Sequence, residues 1–131
     1  MKSMIVEDEF TSRLLLQRVL TPYGECHIAV NGEEAIKAFG DALDEQDPYQ
    51  LLCMDIRLPG MDGIDAVKRI RALEEKNGVY SSRGVKILMT TMVDHLEQVL
   101  GSFHALCDAY LVKPIDVRDL RHRLQYLDLI S

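Results

Sequence analysis

Four places in the chain set polar residues directly behind an apolar run. Glu7, Asp8 and Glu9 follow Met4-Ile5-Val6, and Asp55 follows Leu51-Leu52-Cys53-Met54. Thr90 and Thr91 follow Val85 to Met89, and Lys113-Pro114 follows Ala109 to Val112. Taken singly, each has an ordinary explanation: a helix cap, a strand residue, a solvated charge. Together they supply carboxylates, a hydroxyl and an ammonium. Carboxylates held close repel one another, so this cluster invites a divalent cation with oxygen ligands. Few protein ligands and room for water favour Mg2+ over Ca2+. With a cation screening one of its oxygens, Asp55 becomes a feasible nucleophile toward phosphorus. The cation, Lys113 and the Thr91 hydroxyl could then hold the three phosphoryl oxygens.

For these residues to meet, the apolar runs must lie side by side and point the same way. With His27 to Val30 there are five such runs, each short and continuously apolar, as parallel strands covered on both faces are. Helical stripes alternate with them. A first helix over Thr11 to Leu20 is stopped by Pro22 and Gly24. Ala35, Ile36, Phe39 and Leu43 make the next stripe, and Ile64, Val67, Ile70 and Leu73 the third. Leu96, Val99, Leu100 and Phe103 make a fourth, and Val117, Leu120, Leu124 and Leu127 a fifth. Five strands and five helices in alternation predict an α/β fold, a doubly wound parallel sheet. Such sheets bind ligands beyond the carboxyl ends of their strands, where the polar clusters fall. Asn31-Gly32, after the second run, offers a turn and a helix cap. Asp62 and Asp65 are expected to cap or solvate the third helix, and Gly60 and Gly63 to shape the turn after Asp55. Residues 77–84 read as an exposed loop.

Composition narrows the function classes. A chain of 131 residues can bury a core without staples, and a single domain over 1–131 with no output domain is expected. Residues 1–62 carry 5 Lys/Arg against 12 Asp/Glu, residues 63–131 carry 10 against 9. No basic stripe exists to neutralise phosphates, which argues against direct nucleic-acid binding. No apolar run reaches membrane-span length and MKSMIVEDEF is no signal peptide, so a cytoplasmic protein is expected. Cys26, Cys53 and Cys107 lack metal-ligand spacing and read as buried, reduced thiols. His27, His95, His104 and His122 are dispersed, and surface or partly buried roles are expected for all four.

These motifs resemble the receiver domain of two-component response regulators, of the stand-alone chemotaxis type. The match consists of VEDE at 6–9, MDIRLPGMDG at 54–63, LMTT at 88–91 and YLVKPI at 110–115. The resemblance implies a flavodoxin-like fold with strand order 2-1-3-4-5. It implies a phosphorylation-activated switch, not an enzyme beyond its own Mg-dependent phosphorylation and autodephosphorylation. Asp55 would be the phosphoacceptor and Asp8 a direct ligand of Mg2+ (or Mn2+). Glu7 would act through water and the Arg57 backbone carbonyl would be a further ligand. Thr91 would be the switch hydroxyl, Lys113 the ammonium pairing with the phosphoryl group, and Tyr110 the switch aromatic. The Lys113-Pro114 bond would be cis. Implied partners are a sensor histidine kinase or histidine phosphotransfer protein, and a downstream protein target, or a phosphorylation-dependent homodimer, through residues 94–129.

The sequence departs from the pattern in three places. Glu7 stands where an aspartate is common, and the segment between Asp55 and Thr91 is longer than in compact receivers. Met92 follows the threonine where a small residue is usual, and is expected to gate the pocket. A haloacid-dehalogenase-type enzyme would need an aspartate at position 57, which is Arg57. A flavin-binding module would need a Ser/Thr/Gly-rich loop where VEDEF stands. The remaining alternative is a receiver-like docking module that works without phosphorylation.

Overall fold

The computed structural model describes residues 1–80, 83–92 and 106–131. Its strands are β1 (Ser3–Val6), β2 (Cys26–Ala29), β3 (Leu51–Asp55), β4 (Lys86–Thr91) and β5 (Ala109–Val112). They form one parallel sheet in the order β2-β1-β3-β4-β5. The described helices are α1 (Phe10–Leu20), α2 (Gly32–Asp44), α3 (Gly63–Lys76) and α4 (Val117–Tyr126). The helix expected around Leu96 to Phe103 falls outside the described residues, as do His95 and His104.

Alternation along each strand sorts the core into two layers. Met4, Val6, Leu52, Met54, Ile87 and Met89 face one side, where Ala35 and Phe39 of α2 and Val67 and Ile70 of α3 cover them. Ile5, Leu51, Cys53 and Leu88 face the other, under Leu16 and Leu20 of α1 and Leu120 and Leu124 of α4. Among the described residues two helices cover each face, and a doubly wound sheet needs helices on both. Each fully buried Leu or Ile contributes roughly 1.5–3 kcal/mol.

Helix starts are fixed by acids and an amide. The side chains of Glu9, Asn31, Asp62 and Asp116 accept hydrogen bonds from backbone N–H groups in the first turns of α1, α2, α3 and α4. Asp62 thus caps α3 as the sequence suggests, and Asn31 caps α2. Gly60 adopts φ +81°, and a Cβ on Gly63 would lie 2.1 Å from the Asp55 carbonyl oxygen. Only glycine lets α3 begin so close to the end of β3.

Two expectations need correction. The second strand takes the sheet edge that the resemblance implies, but it is not covered on both faces: His27, Ile28 and the following Val30 are exposed. An apolar run alone does not separate an edge strand from a central one. Of the cysteines only Cys53 is fully buried; Cys26 and Cys107 are half-buried at the rim of the core. Leu127, the last residue of the fifth stripe, lies just past the end of α4 at Tyr126, and residues 129–130 pack back on the α1 side.

Candidate functional site

The strand registers bring the polar residues to one end of the sheet. Asp55 pairs with Thr90 across β3 and β4, and Thr91 pairs with Val112 across β4 and β5, so Lys113 emerges one residue beyond. Val6 pairs with Met54, which sets Glu7 beside Asp55. The Lys113-Pro114 bond is cis.

Lys113 joins the acids. Its Nζ donates to Asp55 Oδ2 at 3.0 Å and lies 2.6 Å from Glu7 Oε1. The contact to Glu7 has an ion-pair distance but not the angles of a hydrogen bond, so Oε1 is a buried oxygen without a hydrogen-bond donor. The other Glu7 oxygen accepts from the Glu9 N–H at 3.2 Å, and Asp55 Oδ1 accepts from the Arg57 N–H at 3.1 Å. Glu7 is wholly buried, Asp55 nearly so, and Asp8 exposed.

Burial, then the neighbouring Asp55 carboxylate, push the Glu7 carboxyl up to about 7. Burial disfavours the Lys113 ammonium, but the Glu7 and Asp55 carboxylates outweigh it and hold its pKa above the ordinary lysine value. The two directions agree: Lys113 keeps its charge, and Glu7 holds a proton below about pH 7.

A cation fits this arrangement. Glu7, Asp8 and Asp55 each offer an oxygen within 4.8 Å of the others, and the unbonded Glu7 Oε1 belongs to the same cluster. Oxygen donors alone, with one acid open to water, match a hard divalent ion. Glu9 stands apart from the cluster: it is exposed, and its carboxylate serves the α1 cap, a hydrogen bond that lowers its pKa.

The Thr91 hydroxyl is buried and donates to the Met92 carbonyl at 3.0 Å. Tyr110 sits half-buried in the middle of β5, against the core layer under α2 and α3. Met92 is 51% exposed. With Leu15, Lys113, Pro114 and Ile115 it borders a groove of about 310 Å3 on the α1 side. A larger cavity of about 620 Å3, lined by Tyr49, Val79, Lys86 and Leu127 among others, opens at the opposite strand ends, away from the acids.

One neighbour escaped the sequence reading. Arg13 Nη1 donates to the carbonyls of Glu7 and Asp8 at 3.4 and 3.5 Å, bracing the backbone that carries both acids. Its only sequence signal is a cation one helical turn past the acidic cluster. His27, read as a surface or partly buried histidine, is half-exposed and links Tyr49 Oη at 2.6 Å to Glu25 at 2.8 Å.

The family model described as response regulator receiver domain matches residues 4–125. Sporulation initiation phosphotransferase F of Bacillus subtilis is 28% identical over 132 residues, covering 99% of this chain and 96% of its own length. Some relatives are far longer: the chain spans 15% of the sensory/regulatory protein RpfC of Xanthomonas campestris pv. campestris. Among solved structures, a CheY-like receiver domain from Methylobacillus flagellatus aligns with a TM-score of 0.75 at 25% identity, covering 96% of this chain and 97% of that one. A Saccharomyces cerevisiae co-crystal structure pairs the histidine phosphotransfer signaling protein Ypd1 with the receiver domain of its downstream response regulator Ssk1. It aligns with a TM-score of 0.76 at 28% identity, over 95% of this chain and 86% of that one. No described helix is long and apolar enough to cross a membrane.

Proposed function

The chain belongs to the response regulator receiver domain family of two-component signalling, and on that premise we propose that it is a switch that accepts a phosphoryl group on Asp55. One observation carries this reading: Lys113 Nζ stands 3.0 Å from Asp55 Oδ2, inside a cluster of three acids able to share a cation. Asp8 and Asp55 would hold Mg2+ or Mn2+ directly, with the Arg57 carbonyl as a further ligand and Glu7 acting through water. Bound there, the cation supplies charge neutralisation for phosphoryl oxygens beside Asp55.

The chain's own residues do the rest. An Asp55 carboxylate oxygen forms the new bond to phosphorus as the bond to a donor nitrogen breaks. The departing imidazole belongs to a histidine kinase or a histidine phosphotransfer protein and retains its electron pair. Lys113 turns from Asp55 Oδ2 to a phosphoryl oxygen. The Thr91 hydroxyl exchanges the Met92 carbonyl for another phosphoryl oxygen, which frees space beside β5 for the Tyr110 ring. Met92, bordering Lys113, restricts access to the group. The signal then leaves through a protein partner on β5 and α4, the described part of the face at 94–129.

Intact mass after incubation with acetyl phosphate and Mg2+ tests the proposal. One added phosphate is expected in the wild type and none in Asp55→Asn. Equal labelling of the two would overturn the assignment, and no labelling of either would favour a docking module that works without phosphorylation.

A further inference from the structure

A second charged cluster lies at the amino ends of the strands, built around Arg71 of α3. Its Nε donates to the Leu106 carbonyl at 3.0 Å. Its Nη1 donates to Glu74 Oε1 at 2.7 Å and to the Val85 carbonyl at 2.9 Å. Its Nη2 donates to Asp108 Oδ2 at 3.1 Å. One planar guanidinium therefore ties α3 to the residue before β4 and to the segment that enters β5. A lysine could not span these acceptors, because its donors radiate from a single point.

Asp108 is what this grip acts upon. Its N–H donates to the Ile87 carbonyl at 2.8 Å, and its Oδ2 accepts from the Ile87 N–H at 2.8 Å. Both main-chain groups of Ile87 are thus captured by one residue, half through its side chain. The β4–β5 ladder proper begins only at the next pair, Leu88 with Ala109. β5 is a four-residue strand at the sheet edge, so few backbone bonds set its placement. Its other end is fixed where the Lys113 N–H meets the Thr91 carbonyl at 2.7 Å.

We propose that Arg71 is a positioning residue for Lys113, acting through Asp108 and β5. The inference rests on the role given to Lys113 above. By orienting the Asp108 carboxylate, Arg71 holds the lower end of β5 in register with β4. Five residues further on, that register sets the Lys113 ammonium against Asp55. The metal ligands stand after β1 and β3, which Arg71 does not hold in this way, so cation affinity is independent of it.

Arg71→Lys keeps the charge and removes the fork. The readouts are acetyl phosphate labelling at saturating Mg2+, the Mg2+ dissociation constant, and hydrogen exchange of the Lys113 amide, all well below the melting temperature. The expected result is labelling slowed about tenfold, the equivalent of ~1.4 kcal/mol in the barrier, with faster Lys113 amide exchange and unchanged Mg2+ affinity. Asp108→Asn, which keeps an acceptor for the Ile87 N–H, should fall between wild type and Arg71→Lys. It carries the same test if Arg71→Lys does not fold. Unchanged labelling and exchange would overturn the proposal. So would a parallel fall in labelling, Mg2+ affinity and folded fraction, because that marks general destabilisation. A wild type that takes no label removes the phosphoryl role of Lys113, and this proposal with it. A labelled wild type with an indifferent Arg71→Lys removes this proposal alone.

Discussion

At the amino ends of the strands, Arg71 meets Glu74 and Asp108 with both Glu74 oxygens and Asp108 Oδ2 engaged. At the carboxyl ends, Lys113 meets Glu7 and Asp55, and Glu7 Oε1 is left without a hydrogen bond. Each site sets two acids against one base in a largely buried setting. The first spends its donors on four acceptors, three of them in segments distant along the chain from α3's own carboxylate. The second leaves a buried oxygen, a raised carboxyl pKa and an exposed third acid beside it. Satisfied networks rigidify, whereas unsatisfied ones favour any ligand that completes them. The lower cluster is closed by its own acceptors, and the upper one keeps three acids that could share a cation.

The largest effect separating the two should come from removing their charges. Arg71→Met leaves Glu74 and Asp108 without their cation, a loss of about 3–5 kcal/mol for a buried pair. For a domain of this size that lowers the melting temperature by roughly 10–15 °C. Glu7→Gln replaces a carboxyl that holds a proton below about pH 7, so in mildly acidic buffer without Mg2+ its stability should stay within about 1 kcal/mol of wild type. Calorimetry on the two variants would sharpen the contrast, and a larger loss at Glu7 would break it.

The next effect is on pH. The Glu7 pKa rises from 4.5 in the unfolded chain to about 7 in the fold, so the folded state binds the extra proton. Its contribution to stability is fully present below the lower value and is lost as pH rises through the upper one. Each pH unit in that window changes stability by up to about 1.4 kcal/mol. Urea unfolding of the metal-free protein between those values should show the fall, and Glu7→Gln should flatten it. An identical profile in the variant would place the proton elsewhere.

Mg2+ has a smaller effect. At a tenfold excess over its dissociation constant it should stabilise the fold by about 1.4 kcal/mol. That is roughly 3–5 °C in melting temperature. Asp8→Asn should lose most of this shift and Arg71→Lys none of it. The chain contains no Trp, so far-UV circular dichroism or calorimetry is the appropriate probe. The smallest effect concerns Met92. Trimming it to Ala should speed both labelling and loss of the phosphoryl group by up to about tenfold, ~1.4 kcal/mol in each barrier. Unchanged rates would make Met92 a bystander on the groove wall.

Much of this was legible in the sequence because parallel strands announce themselves as apolar runs and their carboxyl ends as the polar residues that follow. Glu7, Asp8, Asp55, Thr91 and Lys113 lie at one end of the sheet, as that pattern predicts, and the resemblance added strand order and the cis Lys113-Pro114 bond. The Arg71 cluster was not legible. Arg71 and Asp108 are separated by 37 positions, and nothing in the spacing of a helical arginine says which distant carboxylate it meets. The burial of Glu7 was also hidden, since a glutamate after a strand can turn outward as readily as inward. The extra methylene relative to aspartate lets its Oε1 come within 2.6 Å of Lys113. The exposed face of β2 was missed because its apolar letters match those of a central strand.

The contact at Gly63 constrains how this chain can vary over evolutionary time. Its Cα packs so closely on the Asp55 carbonyl that a Cβ would sit 2.1 Å away, and its N–H donates to the Ile56 carbonyl at 2.7 Å. The loop from 56 to 62 is thereby closed at a set length, and an added residue would push α3 off the end of β3. Gly78, past the other end of α3, has nothing within 4 Å of where a Cβ would stand. Exposed loop tips absorb insertions far better than closed ones. Length changes between Asp55 and Thr91 should therefore accumulate beyond α3, at the pole away from the chemistry. Random-insertion libraries scored for folded protein would show that polarity as a gap over 56–63 and tolerance around 78.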